Sequence, residues 1–469
     1  MLKKENLKDI YPLTPMQQGM LFHALYDKDS LAYFNQFSLR ISDTIDVRVF
    51  EESWNEILMR YDNLRTIFIT KNVREPMQII LKHQKIDFYF EDISGMDRSK
   101  QDIYIKNYQQ KDKKRSFDLS KDVLLRIALI QLDKKSFQFI WSCHHILTDG
   151  WSSGIIMKDF FIIYFARLAN KTPVLPEVPS YKNYIQWLTA QDIDKAKSYW
   201  ENYLQDYRQP VSMAHTIDHE AHAFLLKEFS YTLDKNLSEQ LKHLAQRNQV
   251  TLNTVIQAIW GILLGKYNKS DDVLFGSVVS GRPQEVIGID QMVGLFINTV
   301  PVRIQMTPDQ TIDELLQGIQ TNALQSTSYH YYPLADIQAL SLHKHSLFDH
   351  IMEFNNYPLD EGLKETVKKL SDESGIDSLE EFDYAHYDLA VIVMSGSQIK
   401  FLFIYNGNVY SENYLKKIGE QISRIAFRMN CGVQLSEIEI LSDKEKIEIK
   451  ESQAKLDHIK EKMLVEFDF

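Results

Sequence analysis

The chain is poor in cysteine: its 469 residues include only Cys143 and Cys431. Two cysteines make neither a disulfide framework nor the Cys/His spacing of a zinc finger, so a reducing compartment is expected. No stretch approaches the roughly 20 apolar residues of a membrane helix, and Met1-Leu2-Lys3-Lys4-Glu5-Asn6 lacks the apolar core of a signal peptide. A cytoplasmic location without a membrane partner follows by elimination. Basic residues are in deficit, 53 Lys and Arg against 64 Asp and Glu for a net charge of -11, which argues against a nucleic-acid surface. Short repeats and low-complexity tracts are missing as well. The composition, 44% hydrophobic and 25% charged, is that of a globular protein. At this length one ordinary core is too small, so two lobes are expected.

Both kinds of secondary structure alternate along the chain. Residues 33–41 predict a strand, and Phe50, Trp54, Ile57, Leu58 and Tyr61 recur at helical spacing behind Asp46, a plausible N-cap. Runs at 124–132 and 136–145 flank Asp133-Lys134-Lys135, a hairpin signal. A buried helix follows from Ile155, and Pro173, Pro176 and Pro179 end it. Residues 205–226 have weak periodicity and read as the connection between lobes. The second half repeats the alternation, with helices at 237–245 and 254–264, strands at 273–279 and 294–304, and a capping box at Thr311 to Glu314. Strands at 349–354, 388–394 and 399–405 and a helix at 414–427 complete it. The fold class is α/β, two lobes of similar size with mixed sheets.

The stretch Cys143-His144-His145-Ile146-Leu147-Thr148-Asp149-Gly150-Trp151 carries the most chemistry. Strand alternation puts His145 on the face of Phe137, Phe139, Trp141 and Cys143, and His144 on the opposite one. A histidine at a strand end near a carboxylate is a common way to carry a proton at neutral pH. Gly150-Trp151-Ser152-Ser153-Gly154 also matches the G-x-S-x-G of serine hydrolases. A nucleophile elbow turns directly from strand to helix, however, and here His144 to Gly150 intervene, so Ser152 reads as a first-turn helical serine. A metal held by His144, His145 and Asp149 requires distortion, because adjacent strand residues diverge. His215, His219 and His222 read as a polar connector. No metal site is expected.

In combination these residues resemble a family. His144 to Gly150 is similar to the HHxxxDG signature of nonribosomal peptide synthetase condensation domains. Leu13 to His23 resembles that family's opening motif. Arg60-Tyr61-Asp62-Asn63-Leu64-Arg65-Thr66-Ile67-Phe68 resembles RHExLRTxF, with Tyr-Asp in place of His-Glu. Tyr181 to Trp187, Val293 to Thr299 and Tyr332-Pro333-Leu334 follow in the family's order, so the resemblance covers about residues 11 to 440.

The resemblance implies two chloramphenicol-acetyltransferase-like lobes in a V around a central tunnel. The lobes would span 11–180 and 181–440. Residues 1–10 would be a terminal segment or docking helix, and 441–469 a linker toward an adenylation domain. It implies peptide-bond formation, the donor group passing from one carrier-protein thioester to the α-amine of an acceptor aminoacyl thioester. Phosphopantetheine arms would come from the donor and acceptor carrier proteins, and the domain itself would bind no cofactor. His145 and His144, Asp149 and Gly150 become the catalytic group. Within it, His145 would take the proton or orient the amine, Gly150 N–H would face the oxyanion, and His144 would pack. Asp149 would form an ion pair that sets the histidine loop, with Arg65 or else Arg60 as partner. Asn298, Ser280 and Trp200 would line the tunnel. The run Phe275 to Pro283 is most similar to members that follow an epimerisation step and accept a D-configured donor, implying an upstream epimerisation-domain subunit. The alternatives are a catalytically silent recruiting platform and an acyltransferase or ester-forming relative.

Overall fold

The computed structural model describes residues 4–26, 33–214, 224–343, 347–355, 375–382, 387–430, 432–447 and 450–451. Chain order in the first half is β1 (Leu7–Pro12), α1 (Pro15–Tyr26), β2 (Phe34–Ser42), α2 (Val47–Arg60), β3 (Thr66–Ile69), β4 (Met77–Leu81), β5 (Asp87–Asp92), α3 (Arg98–Lys114), β6 (Leu125–Asp133), β7 (Ser136–His144) and α4 (Gly150–Leu168). Then come α5 (Tyr181–Thr189), α6 (Ile193–Leu204), β8 (Leu226–Thr232), α7 (Lys235–Arg247), α8 (Leu252–Asn268), β9 (Asp272–Val279), β10 (Asn298–Gln305), α9 (Ile312–Thr327) and α10 (Leu334–Leu340). The last elements are β11 (His350–Asn355), β12 (Gly375–Phe382), β13 (Leu389–Ser395), β14 (Ile399–Asn406) and α11 (Glu412–Arg428).

The predicted hairpin is β6–β7, at the heart of a five-stranded sheet of order β12-β2-β7-β6-β5. One face of β7, from Phe137 to Cys143, packs under α2 and α4. Asp46 caps α2 by accepting from Val49 N–H at 3.0 Å, which turns Phe50, Trp54, Ile57 and Leu58 inward. Trp54 stacks on Phe160 of α4 with ring centroids 4.5 Å apart. Each such side chain contributes about 1.5–3 kcal/mol by leaving water. The second lobe is built on a six-stranded sheet, β10-β9-β11-β13-β14-β8, in which β11 runs parallel to both β9 and β13. Helix α8 is apolar nearly all round because this sheet and helices α7, α9 and α11 enclose it. The capping box at Thr311 and Glu314 is present.

Three elements cross the boundary expected at 180/181. Strand β12 comes from the second half but pairs antiparallel with β2 of the first lobe. Val293 and Leu295, between β9 and β10, belong to the first lobe's core. Tyr181 and Tyr184 of α5 pack with Tyr11, Ile80 and Phe296. The 1–10 segment also differs from a docking helix. Leu7–Pro12 is a strand on β4, in a three-stranded sheet of order β1-β4-β3, because the ladder buries Tyr11. Of the expected 441–469 linker, the start is tied back by Arg424 to Glu445 at 2.9 Å. Residues 448–449 and 452–469 lie outside the described residues, as do His215, His219 and His222.

Candidate active site

Strand β7 delivers both histidines, and alternation separates them. His144 turns toward Phe34 and Phe117 and is buried, 6% exposed. Its Nδ1 accepts from Ile146 N–H at 3.1 Å, which leaves the ring proton on Nε2. Burial, helped by the neighbouring His145, pushes its pKa down to about 3, so the ring stays neutral. The backbone of His145 continues the ladder, its N–H donating to Tyr33 O at 2.8 Å. Its side chain lines a cavity of about 190 Å³ between the lobes. Nδ1 of His145 is buried without a hydrogen-bond partner among the described residues.

The loop after His145 is held by groups from two of the other motifs. Gln17 of α1 donates to Ile146 O at 3.2 Å, and Asn63 donates to Leu147 O. These two amides were not singled out from sequence. Each lies in a stretch that was, but nothing local marks which residue of a motif reaches a distant carbonyl.

Asp149 caps α4 by accepting from Ser152 N–H at 2.8 Å. Its ion-pair partner is neither Arg65 nor Arg60; it is Arg282, at 3.1 Å, with both side chains almost fully buried (4% and 1% exposed). Phe296 N–H also donates to Asp149, at 3.2 Å. Arg282 reaches across from the connection between β9 and β10, its guanidinium 3.9 Å from the Phe296 ring centroid. The two expected partners are committed elsewhere. Arg65 binds Asp62 at 2.6 Å and the carbonyls of Leu81, Leu58 and Met59. Arg60 binds Asp159 at 2.9 Å. Arg65, just past α2, satisfies the open carbonyls at that helix's C-terminal end, and Arg60, its last residue, reaches across to Asp159 of α4 and to Pro176 O. Arg282 stands in the Phe275 to Pro283 stretch noted in the sequence, but a lone arginine after glycine gives no sign of its partner 133 residues away.

Ser152 has no access to solvent, 0% exposed. Its hydroxyl donates to Gly294 O at 2.8 Å and accepts from Gly294 N–H at 3.1 Å. That is a helix-to-loop tie, not an exposed nucleophile. Gly150, the first residue of α4, lines the cavity with Ser153. At that position its N–H has no acceptor within the helix. Ser280 and Ile297 line the same cavity from the second lobe, with Glu353 in the sheet wall. Burial raises the pKa of another wall carboxyl, Glu228, against the pull of Lys113 and Lys400.

A smaller space of about 70 Å³ adjoins, sharing Ser280 and Ile297 and bounded by α1, α5 and the 327–331 turn. Asn298 lines this second space. Its amide donates to the carbonyls of His330 (2.7 Å) and Tyr332 (2.9 Å), so it also holds the turn before Pro333. Trp200 is not a lining residue of either cavity. It is fully buried in the cluster between α6 and α10, its indole N–H on Tyr329 O at 3.3 Å, because an amphipathic helix turns its largest apolar residue to the core. Among the described residues no group of three or more His, Cys, Asp or Glu forms a metal site. None of their helices is long and apolar enough to cross a membrane.

The family model of the Condensation domain matches residues 7–450. The chain is 42% identical over 447 residues to Tyrocidine synthase 2 of Brevibacillus parabrevis, covering 94% of the chain and 12% of that protein. In three dimensions it resembles the first condensation domain of the calcium-dependent antibiotic synthetase in complex with a substrate analogue (TM-score 0.74, 16% identity, 93% of this chain and 100% of that one). It is equally similar to the X-domain in its complex with OxyB from teicoplanin biosynthesis (TM-score 0.75, 18% identity, 94% of this chain and 98% of that one). The fold is that of two chloramphenicol-acetyltransferase-like lobes. The chain belongs to the condensation domains of nonribosomal peptide synthetases, whose reaction is peptide-bond formation. It spans about an eighth of the length of the synthetase it was compared with.

Proposed function

We propose that His145 carries this reaction in the cavity between the lobes. The acceptor's α-amine, whose reference pKa near 7.7–8.0 leaves a fraction neutral at pH 7, attacks the carbonyl carbon of the donor thioester. The C–N bond forms, the C–S bond breaks, and the amine proton ends on the departing thiolate. His145 orients the amine and takes up its proton on the way, a contribution of roughly 10²–10⁴-fold. The Gly150 N–H, at the positive end of α4, faces the oxyanion. Holding both thioesters in one cavity supplies much of the remainder, up to about 7–11 kcal/mol in favourable cases. The observation that carries this reading is the contrast between the rings. His144 is buried and bonded within its own loop, whereas His145 faces the cavity with a buried ring nitrogen that no described residue engages.

Phosphopantetheine arms of an upstream donor and a downstream acceptor carrier protein would bring the substrates, and an adenylation domain would follow in the same synthetase, in the cytoplasm. The run from Phe275 to Pro283 supports a D-configured donor and therefore an upstream epimerisation subunit. The experiment is product formation between two loaded carrier proteins, with L- and D-donors, for wild type, His145→Ala and Ser152→Ala. Dipeptidyl thioester from wild type, lost in His145→Ala and kept in Ser152→Ala, is the expected result. Release of free acid that depends on Ser152 would make the domain a hydrolase.

A second reading is favoured by one observation: the fold is as similar to the X-domain complexed with OxyB as to a condensation domain. If wild type turns over no donor while binding another synthetase component, the domain is a recruiting platform. An acceptor hydroxyl preferred over an amine would make it an ester-forming relative.

A further inference from the structure

The layer between the six-stranded sheet and its helices changes character along β9. Val273 and Phe275 are core. Ser277 and Val279, the next two residues of that alternating face, line a cavity of about 280 Å³ within the second lobe. Asn253 and Gln257, one turn apart on α8, line it too, as do Gln320 and Ser326 of α9 and His330 beyond. Gln257 is 5% exposed and Ser277 4%, and neither side chain makes a hydrogen bond among the described residues. Asn253 Oδ1 is buried without a partner. Three other lining side chains are engaged. Gln320 accepts from Thr251 and Thr254, Ser326 bonds His330 at 3.2 Å, and Arg303 is paired twice to Asp272, at 2.8 and 2.6 Å. Burial pushes the His330 pKa down to about 4, so the chamber offers no free positive charge there. Folded proteins satisfy nearly all buried polar groups, so these three idle ones lining a void call for an occupant.

We propose that this chamber binds a neutral, amide-bearing chain. The Gln257 amide and Ser277 hydroxyl pair with its N–H and C=O groups, and Val279, Val300 and Val302 cover its carbons. The location fits the reaction. Val279 also lines the His145 cavity, and Thr327 and His330 also line the space beside α1 and α5. An occupant is therefore a neighbour of the reacting thioester. Two parts of a carrier-bound substrate have this chemistry, the pantetheine arm and the peptide upstream of the donor carbonyl. The inference deepens the condensation reading and rests on it for the source of the chain.

Calorimetry on the 469-residue chain tests it with pantetheine and with N-acetyl-dialanine amide as probes. Loss of one hydrogen bond weakens binding roughly three- to tenfold, so Gln257→Leu and Ser277→Val should raise the Kd of at least one probe by that factor. If the peptide is the occupant, the ratio of kcat/KM for a tripeptidyl over an aminoacyl donor falls by the same factor. If the pantetheine arm is the occupant, the pantetheine Kd rises and that ratio stays. Unchanged Kd values and an unchanged ratio in both variants would leave only water in the chamber and overturn the proposal. Gln257→Met replaces any variant whose melting shows it unfolded. Wild type that binds probes but makes no product sinks the condensation reading alone.

Discussion

His144 and His145 are chemically identical neighbours whose surroundings give them opposite properties. Burial depresses the pKa of His144 to about 3 and that of His330 to about 4. A folded-state pKa below the unfolded value of about 6.5 means that only the unfolded chain takes a proton in between. Stability is therefore complete above about pH 6.5 and is lost as the pH falls toward the folded values. Melting temperature should drop between about pH 7 and about pH 5, and His144→Asn should flatten that slope; a wild-type melt independent of pH would refute it. His145→Ala should leave melting unchanged while lowering product formation roughly 10²–10⁴-fold. Removal of one partner from the buried pair Arg282–Asp149 exposes the other as an uncompensated charge. Arg282→Ala should cost about 3–5 kcal/mol in chemical denaturation. Gly281, beside it, has φ +59° and would place a Cβ 1.8 Å from Phe296 O. Gly281→Ala should therefore displace Arg282 and resemble its loss.

At the level of elements, the connection between β9 and β10 is the piece that joins site and scaffold. It donates Arg282 to Asp149, the Phe296 N–H to the same carboxylate and the Gly294 backbone to Ser152. It anchors in the first lobe through Leu295, 1% exposed. Leu295→Ala should cost about 2–5 kcal/mol and lower turnover with it, measured by urea titration and product assay; stability without loss of activity would show the two uncoupled. Most elements were legible because each announces itself locally. The Asp46 cap, the Thr311 capping box and the period-two run of β7 concern residues close in sequence. The strand at residues 7–12 was missed, since six residues with Pro12 at their end carry little periodicity, and only the partner strand β4 makes them a ladder.

At the scale of the molecule, the lobes are tied by β12 on β2, by Arg282 on Asp149 and by α5 against the first lobe. Calorimetry should therefore give one cooperative transition for wild type. Arg282→Ala should broaden or split it, and two resolved transitions in wild type would contradict the coupling.

The sequence by itself determined the class of protein, the order of most elements and the separation of His145 from His144 by strand alternation. These rest on periodicity and on motifs a few residues long, which physical chemistry reads locally. Tertiary structure alone decided the partner of Asp149, the place of Trp200 in a core and the roles of Gln17 and Asn63 beneath the histidine loop. A charged or amide group satisfies itself with whatever the fold brings within hydrogen-bonding distance. Over separations of 84 to 133 residues, that is settled by packing, not by spacing along the chain.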